Sequence, residues 1–97
     1  MASIGEKFKP GRLTCSPSVN YLMWLNPIFR MATHEALFLH VAGSWGHVNE
    51  DEKWINEWAL QEGEKLVSTY KIEGFPMLVV ITEPDRTETA VLLSHEC

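Results

Sequence analysis

Residues 66–72 read LVSTYKI and residues 77–82 read MLVVIT, and these two stretches are the strongest indication of the fold. In the first stretch two sets of side chains alternate from Leu66 to Ile72, which predicts a strand with two different faces. The second is a mostly β-branched apolar run, typical of a central strand that is covered on both sides. Glu73-Gly74 between them marks a turn. Because so short a connection joins antiparallel neighbours, the two stretches predict a hairpin.

The flanking residues extend this hairpin into a larger sheet. Residues 83–86 read EPDR, a second turn signal, and residues 87–93 follow as a third strand. Residues 12–15 offer a fourth strand at the N-terminal edge. The predicted sheet is a three-stranded antiparallel meander with this additional edge strand. An open edge could pair with a second copy of the chain, which would give a homodimer.

Three helices are predicted upstream of the sheet, so the fold class is α+β with the helices on one face of the meander. The first covers residues 17–25, with Ser16 as its N-cap and Asn26-Pro27 as its stop. The second covers residues 33–42, with Thr33 as its cap. Its predicted apolar side consists of Leu37, Phe38 and Val41.

The third predicted helix begins at Asn49, which has capping-box spacing to Glu52, and ends at Gly63. Ile55 and Ala59 are assigned to its core face. The two tryptophans of this helix lie about a quarter turn away from that face. They either complete a wide buried face or stand exposed as a partner surface.

Negative charge is concentrated on this third helix. Residues 49–64 contain six acids and one base, and the whole chain has a formal net charge of -5. Such a helix is either a solvated face or a surface that steers association with a basic partner protein of the host or of a phage. The candidate partner-binding residues are Glu50, Asp51, Trp54, Glu57, Trp58 and Glu62.

A second candidate cluster combines a glycine-flanked loop with the EPDR turn. In the loop, Trp45 is either a core plug or an exposed binding anchor, and we favour the plug. The turn residues either bind an anion or only shape the turn, with the arginine paired to an acidic residue of the third helix. The cluster comprises Trp45, His47, Glu83, Asp85 and Arg86.

Length and composition restrict the domain organisation and the classes of function. The 97 residues suffice for one domain, predicted over residues 12–97 after a flexible leader of residues 1–11. An acidic chain is poorly suited to direct contact with nucleic acid. No apolar run approaches the roughly 20 residues of a membrane helix.

The cysteines and histidines bear on compartment and metal binding. Cys15 and Cys97 form no C-x-x-C pair, which predicts reduced thiols and a cytoplasmic location. The four histidines match no zinc spacing. They are therefore predicted as surface or capping residues, and no metal or cofactor is expected.

Two short segments carry a resemblance. Residues 40–46 read HVAGSWG and residues 82–86 read TEPDR. Together they resemble a family of small bacterial proteins carried on plasmids and other mobile elements, whose members typically read His-x-x-Gly-Asp-Trp-Gly and Thr-Glu-x-Asp-Arg. The resemblance spans roughly residues 12–96, with Ser68, Tyr70 and Thr89 among the matching positions. Ser44 stands where the family usually has aspartate.

The resemblance implies a family without an assigned activity, although some members carry a restriction-modification label. A chain of 97 residues has no room for a methyltransferase domain. No local motif pairs Ser44 or His47 with a catalytic partner, so no catalytic residue is predicted.

The leading hypothesis is therefore a non-enzymatic binding protein of mobile-element type. Its most concrete form is an inhibitor of a host nucleic-acid defence complex, anti-CRISPR or anti-restriction, acting by protein-protein contact. The alternatives are an accessory protein of plasmid maintenance and a small hydrolase that uses His47, Glu83 and Arg86.

Overall fold

The computed structural model describes residues 5–97 and contains three α-helices and four β-strands. A short 3₁₀ turn follows the last strand. In chain order the elements are β1 (Arg12–Cys15), α1 (Pro17–Leu25), α2 (Pro27–Val41), α3 (Glu50–Glu62), β2 (Leu66–Tyr70), β3 (Leu78–Thr82), β4 (Glu88–Leu93) and the 3₁₀ turn (Ser94–Glu96).

The four strands form one mixed sheet in the order β1-β4-β3-β2. The predicted meander is confirmed, because β2 pairs antiparallel with β3 and β3 pairs antiparallel with β4. The predicted edge strand is also present, but it runs parallel to β4 with Cys15 opposite Val91. The sheet is therefore not purely antiparallel. A parallel partner needs a long crossover, and the whole helical segment between β1 and the meander supplies it.

Asn26 separates the first two helices and serves both of them. Helix α1 begins as predicted, with the Ser16 hydroxyl accepting a hydrogen bond from Val19 N at 3.2 Å. Asn26 then ends α1 through its own N–H, bonded to Leu22 O, while its side chain accepts from Phe29 N at 3.0 Å. The prediction that α2 begins at Thr33 is wrong, because α2 begins at Pro27. Proline ends the preceding helix, but it is also favourable as the first residue of the next one when an N-cap precedes it.

The earlier start of α2 changes which of its faces is buried. Its buried residues are Phe29, Thr33, Ala36 and His40, at spacings of four, three and four. Phe38, predicted on the apolar side, is 57% exposed. The buried residue in the first turn, Phe29, fixes which side of α2 faces the core, and Phe38 lies on the other side.

The core has two parts, both on the same face of the sheet. The larger lies under α1 and α2 and is built on Phe29, Leu78, Val80 and Val91, with Tyr70 and Ile72 at its end. The smaller part joins α3 to β2. It consists of Trp45, Ala59 and Leu66, with Phe8, Val48 and Leu60 packed against them. Helix α1 contacts β4 and β1, α2 contacts β3, and α3 contacts β2. Helix α1 therefore lies at the β1–β4 end of the sheet, and the acidic helix α3 lies at the β2 end.

Residues 7–10, which belong to the predicted leader, contact the domain. Lys7 N donates to Val41 O at 2.7 Å, and Pro10 O accepts from the Thr89 hydroxyl at 2.7 Å. Phe8 lies between them and joins the smaller core. Residues 1–4 of the predicted leader lie outside the described residues.

Over residues 5–97, no helix combines the length and the apolarity that crossing a membrane requires. Cys15 is half-buried and Cys97 is exposed, and the two are not bonded to each other.

Candidate functional site

Helix α3 is fixed at its N-terminus by the predicted capping box. Glu52 N donates to Asn49 Oδ1 at 2.8 Å, and Asn49 N donates to Glu52 Oε1 at 2.9 Å. Gly63 ends the helix in the left-handed conformation with φ 74°. Glycine adopts this conformation without steric cost, so both ends of the helix follow from local sequence.

The buried face of α3 differs from the predicted one. Ala59 is buried as expected, but Ile55 is 52% exposed and Asn56 takes its place in the interior. Asn56 Nδ2 donates to Val67 O at 2.7 Å, and Val67 N donates to Asn56 Oδ1 at 3.1 Å. The outer edge of a strand leaves both a donor and an acceptor without partners. A side-chain amide satisfies both, whereas isoleucine could satisfy neither.

The outward face of α3 carries two exposed tryptophans. Trp54 is 69% exposed and Trp58, one helical turn later, is 48% exposed. The acids Glu50, Asp51 and Glu62 are also exposed. A shallow groove runs beside Trp54 and is lined by Glu50, Asp51, Lys53 and Glu57. Exposed aromatic side chains next to acids make an amphipathic surface suited to a protein partner.

Glu57 and Trp45 connect this surface to the smaller core. Trp45 is only 3% exposed, which confirms that it is a core plug. Its indole N–H donates to Glu57 Oε2 at 2.8 Å. Glu57 therefore holds the loop against α3 in addition to contributing negative charge to the surface.

The loop around Trp45 also closes the edge of β2. Thr69 N donates to Trp45 O at 3.1 Å, and His47 N donates to Thr69 O at 2.6 Å. Lys71 N donates to the His47 ring nitrogen Nδ1 at 3.3 Å. Together with Asn56, these contacts occupy the β2 edge from Val67 to Lys71, so this edge is not open for pairing with a second copy.

Arg86 reaches α3, but it bonds to backbone carbonyls rather than to the predicted acidic side chain. Its guanidinium donates to Ala59 O at 3.0 Å and to Glu64 O at 2.6 Å. Ala59 O lies in the last turn of the helix, where it also accepts from the backbone N–H groups of Gly63 and Glu64. Glu64 O lies just beyond the helix, at the negative end of the helix dipole. The guanidinium carbon also lies 5.7 Å from the centre of the Phe8 ring. Arg86 is thus a helix cap supplied from the β3–β4 turn.

The other two residues of the turn have local partners. Asp85 Oδ1 accepts from Thr87 N at 3.1 Å and from the Thr87 hydroxyl at 2.6 Å. These bonds to the charged form lower the pKa of the Asp85 carboxyl. The Glu83 backbone closes the turn, with Arg86 N donating to Glu83 O at 2.9 Å. The contacts of the second candidate cluster are therefore ones that shape the loop and the turn.

A buried polar chain centred on His40 was missed by the sequence prediction, which placed the histidines at the surface or at caps. The His40 side chain is fully buried and lies between two hydroxyls, Ser68 Oγ at 2.5 Å from Nδ1 and Thr82 Oγ1 at 2.8 Å from Nε2. Thr82 Oγ1 lies 2.7 Å from Thr89 Oγ1. The Thr89 hydroxyl is bonded in turn to Pro10 O at 2.7 Å.

The direction of these hydrogen bonds assigns the tautomer of His40. The chain ends at the Pro10 carbonyl, which only accepts, so Thr89 donates to it and Thr82 donates to Thr89. Thr82 must then accept from His40 Nε2–H, which leaves Nδ1 to accept from Ser68. Burial, with the nearby charge of Arg86, lowers the pKa of His40 to about 4. His40 is therefore a neutral structural residue.

A signal for this chain was present in the sequence. Ser68 alternates with Leu66 and Tyr70 along the predicted strand, which places it on the core face. A buried polar residue on that face needs a partner. Within residues 5–97, no three His, Cys, Asp or Glu side chains are grouped so as to hold a metal ion.

No protein-family model, no curated protein and no solved structure matches this chain.

Proposed function

We propose that the chain is a non-enzymatic binding protein and that the outward face of α3 contacts a partner protein with a basic surface. The observation that carries the proposal is the exposure of Trp54 and Trp58 on one face of an acidic helix. Tryptophan is among the residues that most often dominate the binding free energy of interfaces. Leaving two of them in water is unfavourable unless a partner covers them.

The contacts that hold α3 on the domain support this proposal, because a rigid surface loses less conformational entropy on binding. The helix is capped at its start by Asn49 and at its end by Arg86. Asn56 joins its middle to β2, and Glu57 joins it to Trp45. The tryptophans therefore stand on an element that is held at four points.

The charge of α3 supports a basic partner. Residues 49–64 hold six acids and one base, a net charge of -5 that equals the formal net charge of the whole chain. Opposite charges on two surfaces raise the rate of association and exclude partners of the same sign. The same charge disfavours direct contact with nucleic acid.

The most specific form of the proposal is an inhibitor of a host nucleic-acid defence complex, anti-CRISPR or anti-restriction. Such complexes contain basic grooves that bind nucleic acid, and an acidic helix could occupy one. The small size and the resemblance to mobile-element proteins support this form. An accessory protein of plasmid maintenance would use the same surface on a different partner. A hydrolase is less well supported, because His47 and Arg86 are bonded to backbone groups.

Capture from a bacterial lysate, followed by binding kinetics with the purified partner, tests the proposal. In the test variant Asp51→Lys is combined with Glu62→Lys, since the two reversals act in opposite directions on the helix dipole. Glu57 is left unchanged because it bonds Trp45. The control combines Glu35→Lys with Glu73→Lys, two exposed acids outside α3. It changes the net charge by the same amount.

We expect the test variant to associate at least about 10-fold more slowly at low salt than the control does. Raised salt should reduce the difference. Trp54→Ala should weaken the affinity by about 30-fold through faster dissociation. Equal rates for test and control variants, or a captured partner without a basic surface, would contradict the proposal. For the specific form, expression of the chain should raise phage plating on a defended host, and the test variant should not.

A further inference from the structure

A second exposed surface lies on the outer side of α1 and α2, at the other end of the sheet from the partner-binding helix. In α1, Val19, Leu22 and Met23 face the core, and in α2 the stripe from Phe29 to His40 does so. The opposite sides of both helices carry large apolar side chains in water. This outer helical face consists of Tyr21, Trp24, Leu25, Ile28, Met31 and Phe38.

The size of this face is that of a protein interface. Its six side chains are between 51% and 77% exposed. With roughly 150–200 Å² for each large side chain, they leave roughly 650 Å² of apolar surface in water. The largest apolar patch of a typical monomer is about 300–600 Å². One partner of a standard interface buries about 800 Å², which this face and a polar rim would supply.

The charge around this face decides which partner fits. Between Lys7 and His34 the sequence contains no acid, and Arg30 is the only lysine or arginine between residues 17 and 34. The Arg30 guanidinium is already bonded to Met23 O at 2.8 Å. Glu35, exposed one helical turn from both Met31 and Phe38, is the one acid beside this face. With a single acid and a single base beside it, the face offers a charged protein partner little opposite charge. An anionic membrane would find no basic cluster, which peripheral membrane binding requires beside its apolar residues.

We propose that the outer helical face binds a second copy of this chain, with α1 and α2 of each copy packed against those of the other. A two-fold interface places the same surface on both sides. This face is mainly apolar, and its one base, Arg30, and one acid, Glu35, give it no excess of one sign of charge that would repel a second copy. Helix α3 contacts β2, whereas α1 contacts β4 and β1. The outer helical face therefore includes no residue of the acidic helix.

This dimer differs from the one expected from strand pairing. The β2 edge is occupied by Asn56 and by the loop at residues 45–47. In the helix-mediated dimer the two sheets lie on the outside and the helices of both copies form the centre. The inference is independent of the partner of α3, and either can fail without the other.

Sedimentation of the full chain under reducing conditions tests the inference. Protein concentrations from about 1 μM to about 100 μM cover dimers of moderate affinity. Trp24→Glu and Ile28→Glu are the two test variants, at positions 77% and 69% exposed, so neither disturbs the core. Trp54→Glu is the matched control, since Trp54 is 69% exposed on α3. Circular dichroism verifies that all three remain folded.

We expect a reversible dimer for the parent and for Trp54→Glu. Each test variant should weaken dimerisation by at least about 30-fold. A parent that is monomeric over the whole range would overturn the inference, and so would a dimer that both test variants leave intact. The inference would also be overturned if the parent is monomeric and co-sediments with phosphatidylglycerol vesicles while Trp24→Glu does not. The outer helical face would then be a lipid-binding surface.

Discussion

His40 Nε2 lies 2.8 Å from Thr82 Oγ1, and this hydrogen bond joins the long helix to the central strand inside a fully buried polar chain. The chain continues through Thr89 to the carbonyl of Pro10. It therefore connects α2, β3, β4 and the N-terminal segment. Its side chains are all fully buried, so the chain is a structural network in the core rather than an exposed reactive site.

The buried histidine predicts a loss of stability in mild acid. The pKa of His40 is lowered from 6.5 to about 4 by burial and by Arg86. Above pH 6.5, His40 is neutral in both the folded and the unfolded chain, so its protonation does not reduce stability there. As the pH falls from 6.5 towards 4, the unfolded chain binds a proton that the folded chain does not, so stability falls by up to about 1.4 kcal/mol per pH unit. Urea unfolding at several pH values between 7.5 and 5 gives the free energy of unfolding at each pH, and these values give the slope.

Two variants separate His40 from the other histidines. His40→Gln should lower stability at neutral pH and flatten the slope between pH 6.5 and about 5, because glutamine does not titrate. His34→Gln alters an exposed histidine and should retain the slope of the parent. A slope that survives in His40→Gln would show that another group causes it.

Trp45→Ala should lower the free energy of unfolding by about 3–5 kcal/mol, because it removes a large side chain from the smaller core. Trp45→Phe keeps much of the apolar volume but loses the indole bond to Glu57, and should cost about 1–2 kcal/mol. Chemical unfolding of both variants measures the difference. Melting of Trp45→Ala within a degree or two of the parent would contradict the burial of this side chain.

Gly46→Ala should be much more destabilising than Gly74→Ala, although both glycines have positive φ angles, 78° and 86°. A Cβ at Gly46 would lie 2.1 Å from Thr69 O, where the loop closes the β2 edge, whereas no atom lies within 4 Å of one at Gly74. We expect about 1 kcal/mol at Gly74 from the backbone alone. At Gly46 we expect about 2–4 kcal/mol. Equal losses of stability would mean that the loop does not approach the strand.

Arg86 combines a helix cap with a strained backbone, since its φ is 61°. Arg86→Ala loses the bonds to the end of α3 and retains the strain, so it should destabilise the fold. Arg86→Gly loses the same bonds but relieves the strain, and should be about 1 kcal/mol more stable than Arg86→Ala. Unfolding measurements on the two variants give this difference. Identical stabilities would place the residue outside the left-handed region.

Elements whose signals lie among neighbouring residues could be predicted from the sequence. The alternation from Leu66 to Ile72 and the short turns specify the meander, because period and turn length are properties of neighbouring residues. The capping box at Asn49 and the glycine at residue 63 specify α3 in the same way. The placement of Trp45 in the core was also predictable, because two glycines allow a loop to fold back around it.

The way in which these elements pack against one another could not be predicted from the sequence and depends on contacts in the folded chain. The parallel pairing of β1 with β4 depends on where the helical crossover returns the chain. The exchange of Ile55 for Asn56 on the inner face of α3 depends on an unpaired strand edge 11 residues later in the chain. The burial of His40 likewise depends on hydroxyls from three strands that converge around it. Donors and acceptors that are distant in sequence find one another only in the folded chain, so helical period and propensity could not reveal these pairings.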